Sequence, residues 1–125
     1  MTPVDVIGVM GAGAVGAPAR FLVDAWMGDR TVGPFPWGTF VVNVSGSFVL
    51  GVLTGLVLYH GFPQTPKVIV GTGFCGSYTT FSSFSFETVR LLEEGAHLEA
   101  AANVAGNLVA CTLGAGAALA LVGVL

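Results

Sequence analysis

The sequence has very few charged residues. Only 9% of its 125 residues are Asp, Glu, Lys or Arg, whereas 54% are hydrophobic. Soluble domains carry roughly a quarter charged residues, and a soluble domain of this length has too much surface to be covered by so few. The composition therefore excludes an ordinary soluble domain and predicts that lipid is the solvent for most of the chain.

Charge is missing altogether from four long stretches of the chain. They run from Val6 to Ala19, Thr31 to Pro66, Val68 to Phe86 and Ala100 to Leu125. Because a transmembrane helix needs about 20 predominantly apolar residues, we predict an all-α membrane protein with one domain, residues 1–125, and four short transmembrane helices. The first three are expected at about Val4 to Met27, Gly38 to Tyr59 and Lys67 to Leu92, and the fourth after Leu98.

Other absences exclude several classes of function. No Lys or Arg precedes the first apolar run, so we interpret that run as a retained helix and not as a signal peptide. The two cysteines, Cys75 and Cys111, lie in apolar spans without His or acidic neighbours, which favours neither zinc nor a disulfide. No nucleophile with a base and no basic patch is present, so we expect neither an enzyme nor a nucleic-acid-binding protein.

A glycine motif near the N-terminus, Gly11-Ala12-Gly13-Ala14-Val15-Gly16, matches the dinucleotide fingerprint GxGxxG. That fingerprint requires a preceding strand and a following βαβ unit, and neither is indicated. Small residues that let helices approach closely explain the motif better.

Amides occur inside two of the predicted spans. Asn43 begins a repeat in which every fourth residue is small or polar: Ser47, Gly51 and Gly55 follow it, and these three are suited to close helix packing. Asn103 begins a second repeat of the same spacing, with Asn107 and Cys111. Residues four apart share one helix face, and an amide in lipid is costly unless it meets a partner or a pore. Two interpretations stay open: interhelical hydrogen bonds, or a polar track formed by Asn43, Asn103 and Asn107.

The third span is rich in hydroxyl groups, from Gly73 to Ser85. Gly and Thr weaken a helix, and hydroxyl side chains compete for its backbone bonds. We therefore predict that this helix is broken near Gly76 to Thr80, which frees carbonyl oxygens suited to a small cation such as sodium. Phe81 and Phe84 then share one face of the second half, where they either border a pore or simply pack or contact lipid.

These residues resemble the Fluc (CrcB) fluoride channels. The resemblance is carried by Gly38-Thr39-Phe40-Val41-Val42-Asn43-Val44-Ser45-Gly46-Ser47-Phe48, by Gly76-x-x-Thr79-Thr80-Phe81-Ser82-x-Phe84-Ser85-x-Glu87, and by Gly16-Ala17-x-x-Arg20-Phe21. It implies a passive channel that exports cytoplasmic fluoride, built as an antiparallel dual-topology dimer with two pores and a central structural sodium ion (Na⁺). The partner is a second copy of the chain or a paralogous subunit, and the location is the cell membrane.

The resemblance also implies roles for individual residues. Backbone carbonyls of Gly76 and Thr79 would bind sodium, and Arg20 would lie at the aqueous vestibule. The fluoride pathway would include Asn43, Phe81, Phe84, Thr80, Ser82, Asn103 and Asn107. The sequence departs from the family pattern at Ser77, Tyr78 and Ser83, and Asn103, Asn107 and Cys111 fall where members often carry other polar side chains.

Physical chemistry fits such a pore. Fluoride holds its water tightly, so Asn43 and the hydroxyls of Thr80, Ser82 and Ser85 are candidate donors, and the positive edges of Phe81 and Phe84 can face an anion. Two rival functions remain. A small dual-topology multidrug exporter needs an acid inside the membrane, but Asp5, Asp24 and Glu87 lie near the ends of their spans and no acid lies in the middle of one. A non-catalytic subunit of a membrane complex would explain the glycine-rich packing but not a hydroxyl-rich broken helix.

Overall fold

The computed structural model describes all 125 residues as an all-helical protein without strands. Two long helices, α1 (Pro3–Arg30) and α2 (Trp37–His60), come first. A third segment, residues 64–93, consists of α3 (Gln64–Lys67), a π-helix (Val68–Cys75), α4 (Gly76–Tyr78) and α5 (Ser82–Glu93). The last helix is α6 (His97–Val124).

Helix α1 begins with a capping box. The backbone N–H of Asp5 donates to Thr2 Oγ1 at 3.2 Å, and the backbone N–H of Thr2 donates to Asp5 Oδ2 at 2.7 Å. Pro3 occupies the first turn, where its missing N–H costs nothing. These local signals start the helix close to the predicted residue, and it ends at Arg30, about one turn later than expected.

Helices α2 and α6 form the main packing pair. A Cβ atom at Gly51 would lie 2.5 Å from the Ala115 carbonyl oxygen, and one at Gly55 would lie 2.9 Å from Val122 Cβ. Such close approach is possible only because glycine has no side chain, and it lets backbones pack by van der Waals contact in lipid. The predicted small-residue seam on α2 is confirmed at these two positions.

Helix α1 packs against the π-helix and α4. A Cβ atom at Gly16 would lie 2.5 Å from the Phe74 carbonyl oxygen and would collide with Ser77 Oγ, whereas one at Gly11 would meet nothing within 4 Å. The last glycine of the motif, Gly16, therefore allows α1 to pack closely on the third segment. The motif lies inside a helix, and no strand precedes it. This confirms the packing interpretation over the dinucleotide fingerprint.

Helical structure in the third segment stops after Tyr78 and resumes at Ser82. Thr79 has an extended backbone, with φ −75° and ψ 158°. The π-helix that precedes this interruption is wider than an α-helix, and such turns occur often at functional sites. The interruption lies between the half of the segment that packs on α1 and the half, α5, that packs on α6.

Three helices, α1, α2 and α6, are long and apolar enough to cross a membrane. Only 18 of the 125 residues are buried, and most large apolar side chains point outward. Such an exterior is stable when lipid or another subunit covers it. The protein is a multi-pass membrane protein.

Candidate functional site

The interruption of the third segment is held by one amide side chain from α2. The backbone N–H of Thr80 donates to Asn43 Oδ1 at 2.8 Å, and Asn43 Nδ2 donates to the Thr80 carbonyl at 3.0 Å. Both backbone groups of Thr80 are therefore satisfied by a side chain 37 positions away. This pairing replaces bonds that a continuous helix would supply, and a buried backbone group without a partner is costly.

Two carbonyls at the interruption lose their usual helical donors. In a continuous α-helix the N–H of Thr80 would donate to Gly76, but it donates to Asn43 instead. The N–H of Ser83 would donate to Thr79, but it donates to Thr80 Oγ1 at 3.1 Å. The donors are thus diverted from Gly76 and Thr79, the two residues whose carbonyls were predicted to bind sodium.

The amides of α6 lie beside Asn43. Asn43 Nδ2 also donates to Asn107 Oδ1 at 3.2 Å, and Asn107 Nδ2 donates to the side-chain oxygen of Asn103 at 2.9 Å. Asn103 is 0% exposed and Asn107 is 6% exposed. The structure therefore brings the three amides into one contiguous row, joined by a hydrogen bond between α2 and α6 and by one within α6.

A cavity of about 530 Å³ lies between α2, the third segment and α6. Its wall is mostly apolar, with polar groups gathered around the interruption. The cavity is lined by several of the predicted residues, namely Asn43, Gly76, Thr79, Thr80, Phe81, Phe84 and Asn107, and also by Ser47, Cys75 and Cys111. Both cysteines are free thiols in the structure.

The rings of Phe81 and Phe84 lie next to each other at this cavity. Their centroids are 5.5 Å apart and the ring planes are inclined by 46°. Phe81 is 78% exposed in the isolated chain. An apolar ring this exposed beside a cavity is available to contact whatever occupies or covers it.

A second cavity, of about 210 Å³, also borders Thr80. Arg20 and Asp24 of α1 line it together with Thr39, Thr80 and Ser83. Thr80 is the one predicted site residue that borders both cavities. Arg20 and the ring pair therefore line different cavities, which share Thr80.

Two predicted pathway residues lie apart from the large cavity. Ser82 is exposed, and its hydroxyl is 3.3 Å from Thr80 Oγ1. Asn103 lies beyond Asn107, where its Nδ2 donates to Thr88 Oγ1 at 2.9 Å. The sequence analysis missed Thr88, although it extends the hydroxyl-rich run by one turn after Phe84.

The departures from the family pattern serve contacts between helices. Ser77 Oγ donates to the Gly13 carbonyl of α1 at 2.9 Å. The Tyr78 hydroxyl lies 3.0 Å from Ser45 Oγ of α2, and its ring stacks on Phe74 with centroids 5.4 Å apart. These side chains thus fix the first half of the third segment against its neighbours.

Another tie between helices was missed as well. The Thr39 hydroxyl of α2 donates to Glu87 Oε1 of α5 at 3.0 Å. This bond fastens the second half of the third segment to α2, one turn beyond Ser83. Helix α2 therefore contacts the third segment on both sides of Phe81 and Phe84, through Asn43 before the rings and through Thr39 after them.

An interrupted helix at membrane depth is tolerated where it is buried in protein or lines a cavity, and this all-helical membrane protein has such an interruption beside a cavity. Residues 7–123 match the family described as CrcB-like protein, Camphor Resistance (CrcB). The chain belongs to this CrcB family, and the resemblance found from its motifs is confirmed.

Curated relatives carry channel names. The "Fluoride-specific ion channel FluC 1" of Frankia casuarinae is 46% identical over 119 residues, which cover 90% of this chain and 92% of that protein. The protein of the same name from Streptomyces avermitilis is 45% identical over 90% of this chain and 88% of its own length. The one from Leifsonia xyli is 50% identical over 75% of this chain and 69% of its own. Relatives named as channels agree with the expectation that the chain is no enzyme.

Proposed function

We propose that this protein conducts fluoride passively across the cell membrane and so exports it from the cytoplasm. The observation that carries the proposal is the meeting of two phenylalanine rings, Phe81 and Phe84, with an interrupted backbone at one cavity. Relatives that are 45% to 50% identical bear the name of fluoride-specific channels. Family membership and site chemistry thus point to the same ion.

Fluoride must exchange its tightly held water for donors and positive charge within the protein. The edge of a phenyl ring is positive and its face is negative, so the ring edges of Phe81 and Phe84 stabilise the dehydrated ion. The pathway contains no fixed cation at the rings, which allows fluoride to leave quickly.

The Nδ2 group of Asn43, at the border of this pathway, already has two acceptors within the protein. Its Nδ2 hydrogens are directed to the Thr80 carbonyl and to Asn107 Oδ1. In this arrangement Asn43 supports the pathway by holding Thr80, and it donates to fluoride only when one of these bonds is exchanged. The Ser85 hydroxyl likewise donates to the Phe81 carbonyl at 2.9 Å. The hydroxyls of Thr80 and Ser82, which lie 3.3 Å apart, need only one proton for the bond between them, so this pair has a donor free to rotate toward the ion.

Arg20 acts at the aqueous entrance. It lines the smaller cavity, which touches the pathway at Thr80. A cationic side chain at the mouth of a pore raises the local concentration of anions without binding them in the pathway. Asp24 in the same cavity moderates that attraction.

The large cavity is where a second subunit packs in our proposal. Lipid tails cannot satisfy the polar groups around the interruption, whereas an antiparallel copy or a paralogous subunit can. The carbonyls of Gly76 and Thr79 fit a structural sodium ion, because both residues line the cavity and their helical donors are diverted. Sodium would supply positive charge close to the anion route.

Fluoride efflux from liposomes that contain the purified protein tests the proposal directly. A fluoride electrode follows release after a potassium ionophore sets the membrane potential, and chloride release measured in parallel gives the selectivity. We expect fluoride release well above that of protein-free liposomes, with chloride unchanged. Equal release with and without protein would reject the function.

A further inference from the structure

All three asparagines of the chain lie in one unbroken series of hydrogen bonds. The backbone N–H of Thr80 donates to Asn43 Oδ1, and Asn43 Nδ2 donates to Asn107 Oδ1. Asn107 Nδ2 then donates to Asn103 Oδ1. The series therefore leaves the interruption, crosses α2 and enters α6.

The series returns from α6 to the third segment. Asn103 Nδ2 donates to Thr88 Oγ1 at 2.9 Å, and the Thr88 hydroxyl donates to the Phe84 carbonyl at 2.7 Å. It thus begins on the backbone just before Phe81 and ends on the backbone of Phe84. We call these six residues the asparagine relay: Thr80, Asn43, Asn107, Asn103, Thr88 and Phe84.

The two ends of the relay fix its direction. The backbone N–H of Thr80 can only donate, and the carbonyl of Phe84 can only accept. Each side chain between them must therefore accept on one side and donate on the other, always in the same sense. Turning any one amide around would place two oxygens or two N–H groups together, so the relay selects one orientation for every asparagine.

Burial makes the relay stiff. Asn103 is fully buried, and Asn107 is nearly so. A buried amide that loses its partner bears the cost of its desolvation, and hydrogen bonds that point the same way reinforce one another. The relay therefore resists changes in the distance between the interruption and the first turns of α5.

We propose that Thr88 and Asn103 are positioning residues for the ring pair, an inference that rests on the proposed fluoride function. Neither residue lines the cavity. Both act through the relay, which links Thr80 to Phe84 by a route behind the cavity wall and so holds the rings of Phe81 and Phe84 in register with the interruption. Asn107 connects this support to Asn43.

Replacing the Thr88 hydroxyl tests the relay in the liposome assay. Thr88→Val keeps the volume but removes both the acceptor for Asn103 and the donor for Phe84, so we expect fluoride flux to fall by about tenfold. Thr88→Ser keeps the hydroxyl and should conduct like the unmodified protein. Thr112→Val, at an exposed threonine of α6, is the matched control and should also conduct normally.

The outcomes separate the relay from the channel itself. Loss of flux in Thr88→Val with retention in Thr88→Ser supports the relay. Normal flux in Thr88→Val, or equal loss in both variants, overturns it while leaving the fluoride function intact. Absence of fluoride flux in the unmodified protein would instead reject the proposed function.

A measurement on the unmodified protein tests the relay even if Thr88→Val does not fold. The chain has only four side-chain amides, those of the three asparagines and that of the exposed Gln64. In protein labelled with ¹⁵N at these amides, the asparagine side-chain protons should exchange with water at least about tenfold more slowly than those of Gln64. Exchange as fast as that of Gln64 would overturn the relay.

The same spectra reveal whether the relay transmits a change. In Thr88→Val, the Asn43 side-chain resonances should shift although Asn43 makes no hydrogen bond to Thr88. A shift confined to Asn103 would mean that the bonds are independent, and the positioning role would be rejected.

Discussion

At the scale of single residues, the amide side chains of the site have hydrogen-bond partners within the protein, whereas the two phenylalanine rings do not. Asn43 uses its oxygen and its Nδ2 group to hold Thr80 and Asn107. The ring pair has no such polar contact, and Phe81 is largely exposed at the cavity. The residues that hold the interruption are therefore distinct from the two rings that we propose to contact the ion.

The ring pair gives the first prediction. Replacing Phe81 or Phe84 by Ile keeps an apolar side chain but removes the positive ring edge. We expect fluoride flux to fall by at least about tenfold, because a barrier raised by roughly 1.4 kcal/mol already produces that factor. The liposome assay measures the flux, and gel filtration checks that the assembly is intact. Rapid flux in both variants would remove the rings from the pathway.

At the scale of helices, close backbone approach sets the geometry of the third segment. Helix α1 packs on the π-helix through Gly16, and α2 packs on α6 through Gly51 and Gly55. Each contact excludes even a methyl group. Because the two halves of the third segment pack on different helices, their relative position depends on these contacts as well as on the interruption.

Glycines of one motif give a matched pair for the second prediction. A methyl group added by Gly16→Ala would press on the Phe74 carbonyl and Ser77, so we expect a loss of about 1–3 kcal/mol in stability. Gly11→Ala adds the same group where nothing lies within 4 Å, and the helix should gain roughly 0.5–1 kcal/mol. The melting temperatures of the two variants are compared in detergent, with gel filtration used to monitor how much folded protein remains after heating. Equal melting temperatures would contradict the packing interpretation.

At the scale of the whole molecule, the exterior is largely apolar, and Asn43, Thr79, Thr80 and Asn107 bring polar groups to the large cavity. A monomer would present the interruption to lipid. A second subunit would cover it with protein, which is the reason for proposing a dimer. Two thiols line this cavity, Cys75 and Cys111, and the more exposed of them can report on whether it is covered.

The third prediction uses Cys111 as that reporter. Cys75 is only 3% exposed, so Cys111 is the thiol expected to react with a maleimide. Its alkylation should be slow in the reconstituted protein and fast after the subunits are separated in harsher detergent. A Leu113→Cys variant in a Cys111→Ser background is the control, because Leu113 lies outside the cavity. Equal rates for Cys111 before and after dissociation would argue against a subunit at this face.

The fourth prediction concerns sodium. If carbonyls of Gly76 and Thr79 bind a structural ion, replacing sodium by N-methylglucamine should lower the melting temperature of the assembly. A ligand present at 100 times its dissociation constant stabilises by about 2.7 kcal/mol. The melting temperature should therefore rise with sodium concentration at constant ionic strength. A melting temperature independent of sodium would exclude the ion from the folded structure.

The sequence by itself determined that lipid surrounds most of the chain, where the long apolar helices lie, and that the third segment is rich in polar groups. Composition and helical period are local properties, so no tertiary contact was needed to read them. The sequence also placed Asn103 and Asn107 on one helix face. Only the tertiary structure decided their partners, since Asn43 meets Thr80 across 37 positions and Asn107 across 64. For the same reason Thr88 went unnoticed: its role depends on a buried amide from another helix, and no periodicity in the chain encodes that contact.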